Sequence, residues 1–109
     1  MSRHKATKPR VRWMPQSLKD LDEIRRYIAR HDPVGADRWL RRLVERGRAA
    51  AAFPLSGRPV PEVAADHIRE VLLKSYRIIY RVMPDGIHIM TVFEGHRRFP
   101  LEAITDPEP

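Results

Sequence analysis

Apolar positions in the first half of the chain fall at helical spacing. Leu18, Leu21, Ile24 and Ile28 recur every three or four residues and predict one apolar helix face, with Lys19, Asp22, Glu23, Arg26 and Arg30 on the other. Ser17 reads as the N-cap, with Asp20 three residues on as a variant of the capping box. Asp32-Pro33 ends this helix and begins a second, Asp32 as N-cap and Pro33 at the first helical position. Ala36, Trp39, Leu40, Leu43, Gly47 and Ala50-Ala51 repeat the pattern, and Pro54 closes it. The small residues near its end predict a close approach of two backbones. A connection this short makes the pair an antiparallel hairpin.

From residue 68 the period changes to two. Three β-rich runs follow: Ile68 to Leu73, Tyr76 to Val82, and Ile87 to Phe93, the last two joined by the hairpin turn Asp85-Gly86. In the second run Ile78, Tyr80 and Val82 share one face, and Arg77, Ile79 and Arg81 the other. In the third, Ile87, Ile89, Thr91 and Phe93 alternate with His88, Met90, Val92 and Glu94. Val11 to Met14 is a short β-prone piece stopped by Pro15. Residues 54 to 66, punctuated by Pro54, Gly57, Pro59 and Pro61, predict an irregular loop. The expected fold class is α+β. It has two layers, with the N-terminal antiparallel helix hairpin packed on one face of a small, mainly antiparallel sheet.

Charge adds direction to this picture. The 109-residue chain carries a formal net charge of +7, with arginines inside its strands and a basic cluster at residues 96–98. A sheet that spends strand positions on arginine is expected to show one face to something negatively charged. Residues 11–100 are expected to form a single domain, residues 1–10 a flexible basic tail, and residues 101–109 an acidic one. No cysteine is present, which excludes disulfides and thiolate chemistry. No apolar run is long enough to span a membrane, and a cytoplasmic location is expected. His4, His31 and His67 show no metal-ligand spacing, so neither a metal nor a cofactor is expected. Trp13 and Trp39 read as core anchors.

The order of a strand, two helices, a proline-glycine loop and a three-stranded meander resembles the RelE/ParE superfamily of type II toxins. The matching residues are Trp13-Met14-Pro15, Phe53-Pro54-Leu55-Ser56-Gly57-Arg58-Pro59, Arg69-Glu70, Tyr76-Arg77-Ile78-Ile79-Tyr80-Arg81, and Glu94-Gly95-His96-Arg97-Arg98. In combination they lean toward the ParE branch.

The resemblance implies a cognate antitoxin with an acidic segment, a toxin–antitoxin hetero-oligomer, and either one of two targets or a degenerate relative that only binds its antitoxin. RelE-like members cut messenger RNA on the ribosome. ParE-like members poison DNA gyrase without being nucleases. RNA cleavage would place Arg77 and Arg97 on the scissile phosphate and His96 as acid or base. Two features of the RelE branch are missing. Ile68 and Glu70 occupy the region where its lysines lie, and no tyrosine follows Phe99. For contacts with a target or partner, the matching positions are Arg69, Glu70, Arg81, Arg98 and Phe99.

Overall fold

The computed structural model describes residues 8–104. Its elements are β1 (Arg10–Trp13), α1 (Pro15–Ala29), α2 (Pro33–Ala50), β2 (Arg58–Pro59), β3 (Ile68–Leu73), β4 (Tyr76–Met83) and β5 (Gly86–Glu94), with 3-10 turns at Pro54–Ser56 and Leu101–Ala103. The five strands form one sheet in the order β1-β5-β4-β3-β2. All neighbours run antiparallel except β1, which pairs with β5 in parallel. The expected α+β class and helix hairpin are present.

Asp32 caps α2 as its sequence position suggests, its carboxylate accepting from the Gly35 amide at 2.9 Å. Leu43 and Ala36 are fully buried, and Ala50 and Gly47 face inward with them. Gly47 does not serve helix-on-helix approach. A Cβ there would lie 2.8 Å from Ile89 Cδ1 and 2.9 Å from Trp13 Cη2, so the missing side chain lets α2 settle on β5 and β1.

The start of α1 differs from the expectation. Pro15 occupies its first turn, and the N-cap is Met14, with no side-chain hydrogen bond. Ser17 is not a cap: it is buried, and its hydroxyl donates to the Met14 carbonyl at 2.6 Å. Asp20 is not half of a capping box either. Its carboxylate accepts from Thr91 Oγ1 (2.6 Å) and from the Val92 amide (2.9 Å), tying α1 to β5. With Ser17, Leu21 and Ile24 facing inward, the apolar stripe is rotated and Leu18 is left 53% exposed. With Pro15 at the first helical position, the helix starts three residues earlier than expected.

β5 contains a bulge. Ile79 pairs with Thr91 and Tyr80 with Ile89, which leaves Met90 as an extra residue. The bulge resets the alternation. Ile87, Ile89 and Val92 pack under the helices, whereas Met90 and Phe93 pack on the opposite face. The expected grouping of Phe93 with Ile87 and Ile89 is therefore wrong beyond Ile89.

Two cores result. The first lies between sheet and helices and contains Leu21, Leu43, Val71, Ile78, Tyr80 and Ile89. The second lies on the far face, with Val60, Ile68, Ile79, Met90, Phe93 and Ile104, and Phe99 packed against it. The face carrying Arg77 and Arg81 is thus covered, not bare. Its cover comes from the 60–66 segment and the C-terminal residues 99–104. The segment expected to be wholly irregular supplies β2, which pairs with β3. The domain also continues past residue 100, because Ile104 is buried, and it begins at Arg10, which pairs with Gly86. The remainder of both expected tails lies outside the described residues.

Candidate functional site

Arginine on the far face is held by acids from the same chain. Glu70 and Ile79 are register partners, so Glu70 and Arg77 are diagonal neighbours on one sheet face. Arg58 stands directly opposite Glu70 on β2. The Glu70 side chain is 0% exposed and accepts from both arginines: Arg58 Nε at 2.5 Å on one oxygen and Arg77 Nε at 2.6 Å on the other. Glu62, from the segment after β2, takes the two remaining Arg77 nitrogens in a bidentate pair at 2.9 and 2.8 Å. The Arg77 guanidinium also lies 5.3 Å from the ring centres of both Phe93 and Phe99. Its side chain is 12% exposed. Burial at this level requires that each charge be paired and hydrogen-bonded, and here each is.

The clamp sets the acid response of the fold. The Arg77 guanidinium holds the Glu62 carboxyl below the usual carboxylate range. A depressed folded-state pKa adds stability above the unfolded value of 4.5, and that stability is lost as pH falls through the folded value. Glu62→Gln should therefore melt below wild type at neutral pH. The gap should narrow between about pH 5 and about pH 3. Thermal melts across that range check this. The effect should be small, because the Glu62 side chain is 40% exposed and solvent screens the pair.

The other sequence candidates are scattered. Arg69 does not pair with Glu70. It donates to the carbonyls of Asp66 (2.9 Å), Gly57 (2.8 Å) and Leu55 (3.2 Å) and so pins the loop after α2. Arg81 donates to the Ile104 carbonyl at 3.1 Å and anchors the C-terminal segment. Phe99 packs edge-on against Phe93 at 5.7 Å. His96, Arg97 and Arg98 are exposed on the turn after β5. His96 Nδ1 lies 2.6 Å from Glu94 Oε2, and this hydrogen bond lowers the Glu94 pKa. Arg77, His96 and Arg97 therefore do not present three free groups to one point.

One groove is open. It encloses about 380 Å³ between α1 and the ends of β4 and β5, and is lined by Asp20, Glu23, Ile24, Tyr27, Tyr76, Val92, Phe93, Glu94 and Arg97. Arg97 is the one sequence-predicted site residue in it. Tyr27, 64% exposed, carried a legible signal: an aromatic on the polar side of an amphipathic helix, four residues from Glu23. Burial raises the Tyr76 pKa, with Glu94 adding to the shift. No cluster of three metal-ligating side chains occurs among the described residues. No helix among them is long and apolar enough to cross a membrane.

The family model for the ParE toxin of the type II toxin–antitoxin system parDE matches residues 11–99. The chain belongs to the ParE toxin family. It is 36% identical over 96 residues to a toxin candidate of Sinorhizobium fredii, Y4kP, covering 86% of this chain and 96% of that one. To toxin RelE2 of Caulobacter vibrioides it is 33% identical over 88 residues, covering 80% and 96%. The fold is shared with the chromosomal ParDE system of P. aeruginosa (TM-score 0.68, 19% identity, 80% of this chain and 96% of the other). It is also shared with the RelBE2 toxin–antitoxin complex of Mycobacterium tuberculosis (TM-score 0.60, 22% identity, 83% and 94%). This ParE-family chain is thus a type II toxin of the RelE/ParE superfamily, and its relatives carry names from both branches.

Proposed function

We propose that this toxin inhibits DNA gyrase by direct binding in the cytoplasm, without catalysis of its own, and that a cognate antitoxin neutralises it. The state of Arg77 carries this reading. A nuclease of this superfamily needs a free cation at that position to meet the charge developing on phosphate. Here all three nitrogens of Arg77 are spent on Glu62 and Glu70, and two phenylalanine rings close over it. His96 is engaged with Glu94. The cluster His96-Arg97-Arg98 is exposed, with Arg97 and Arg98 suited to contact with a protein surface. Membership of the ParE toxin family of a type II toxin–antitoxin system supports the antitoxin.

The rival reading, a ribosome-dependent mRNA endonuclease, has a clear test. Primer extension on message from a translating extract treated with the purified toxin should show no new 5′ ends. Cuts in register with codons would overturn the proposal.

A further inference from the structure

The outer face of α2 carries arginines that the fold does not use. Ala36, Leu43, Gly47 and Ala50 turn inward. At 3.6 residues per turn, Arg38, Arg41, Arg42, Glu45 and Arg48 then share the opposite side, and all five are exposed. Neighbouring cations have partners. Arg25 meets Asp37 at 4.0 Å, Arg26 meets Asp22 at 3.0 Å, and Arg46 donates to the Leu72 carbonyl at 3.1 Å. Arg42 rests on the Trp39 ring at 4.8 Å. The side chains of Arg38, Arg41 and Arg48 hold no ion pair, hydrogen bond or ring contact among the described residues, and neither does that of Glu45.

We propose that this face lies on the phosphate backbone of duplex DNA, the segment that gyrase holds. The proposal rests on the gyrase reading for the source of the DNA; the contact itself belongs to the toxin alone. The composition of the face selects the occupant. Protein interfaces have an apolar centre depleted in charge. Between Arg38 and Arg48 no large apolar side chain of α2 is exposed. A phosphate backbone needs only cations and donors, and the planar fork of arginine matches a phosphate. Single-stranded nucleic acid is held largely by aromatic stacking. The one aromatic of α2, Trp39, is half-buried beneath Arg42. The dimensions also fit. Arg38 to Arg48 spans about 15 Å of helix, and one DNA strand carries a phosphate about every 3.4 Å along the axis, so about four phosphates run beside the four arginines. Glu45 stands among these arginines and opposes the contact. Backbone contacts read no sequence, so the toxin would be retained on DNA of any sequence.

The test is fluorescence anisotropy of the full-length toxin on a labelled duplex of arbitrary sequence, across a salt series. Arg41→Ala combined with Arg48→Ala should flatten the dependence of log Kd on log salt by about 1.8, the contribution of two phosphates. Glu45→Gln should tighten binding about twofold or more, because it removes a charge of the phosphates' own sign. Arg10→Ala combined with Arg12→Ala removes the same charge from the other sheet face, since Val11 and Trp13 between them pack on the first core. That pair should leave the slope unchanged. Circular dichroism melts of the Arg41–Arg48 variant should not fall, alanine being the better helix former. In a plasmid assay with gyrase this variant should need a higher dose to trap cleavage, while its affinity for gyrase without DNA stays that of wild type. An unchanged slope for the Arg41–Arg48 pair, an equal loss from the Arg10–Arg12 pair, or tighter binding of single-stranded RNA of the same length would overturn the DNA assignment. So would a loss confined to the affinity for the co-expressed antitoxin, which makes the occupant an acidic protein. These results leave the gyrase reading intact. Wild-type toxin that binds the duplex as described but neither binds nor inhibits gyrase would instead remove that reading, and with it the source given to the DNA.

Discussion

Glu70→Ala should cost the domain about 3–5 kcal/mol, the range for removing one partner of a buried ion pair. The side chain is 0% exposed and accepts from two arginines, one of them only 12% exposed. Its removal strips Arg77 of one of two carboxylates and leaves Arg58 with no acid on β3. A domain of this size is stable by about 5–15 kcal/mol, so the variant should sit near the edge of folding at 37 °C. Glu70→Gln keeps the shape and an acceptor but not the charge, and should fall between the two. Urea denaturation measures both. A loss below about 1 kcal/mol for Glu70→Ala, the value of an exposed pair, would mean that Glu62 alone suffices to hold Arg77.

Trp39→Ala should cost about 3 kcal/mol, the lower end for deleting a large aromatic from a core. Trp39 packs against the first core, meets Tyr76 edge-on at 5.9 Å, and carries Arg42 over its other side at 4.8 Å. Two features hold the figure down. The residue is only partly buried, and its Nε1 is buried without a hydrogen-bond partner among the described residues, so deletion also removes an uncompensated polar group. Thermal unfolding by circular dichroism gives the stability change. An unchanged melting temperature would contradict the role assigned to Trp39.

What was legible in the sequence was periodic or local. The spacing from Ala36 to Ala50 predicted the buried face of α2, and Asp32-Pro33 its start, because both follow from backbone geometry within a few residues. The meander and the Asp85-Gly86 turn were visible for the same reason. The bulge at Met90 was not. A strict alternation cannot reveal one extra residue, and that residue decides which face Phe93 joins. The far face was misjudged for a related reason. Arg77 alternating with Ile79 does not say whether its partner is external or internal. The acids that answer it lie 15 positions upstream at Glu62 and 7 upstream at Glu70, at no spacing that a local rule recognises. Ile104 looked like part of an acidic tail because only the folded chain brings it to Ile79 and Met90. Of the candidate residues, Arg69 and Arg81 proved to fasten loops through backbone carbonyls. Carbonyl acceptors carry no sequence signature, so neither role was readable beforehand.

On the function proposed above, the toxin acts on a protein rather than on a phosphodiester bond, through the exposed cluster at residues 96–98. The most direct measurement is a plasmid assay with purified gyrase, ATP and the antitoxin-free toxin. Linear, gyrase-linked DNA should accumulate with toxin dose and supercoiling should fall. Substituting Ala for Arg97 and Arg98 together should raise the dose required without changing the melting temperature. Normal supercoiling and no trapped cleavage at any toxin concentration, from a preparation that still arrests growth, would contradict the gyrase reading.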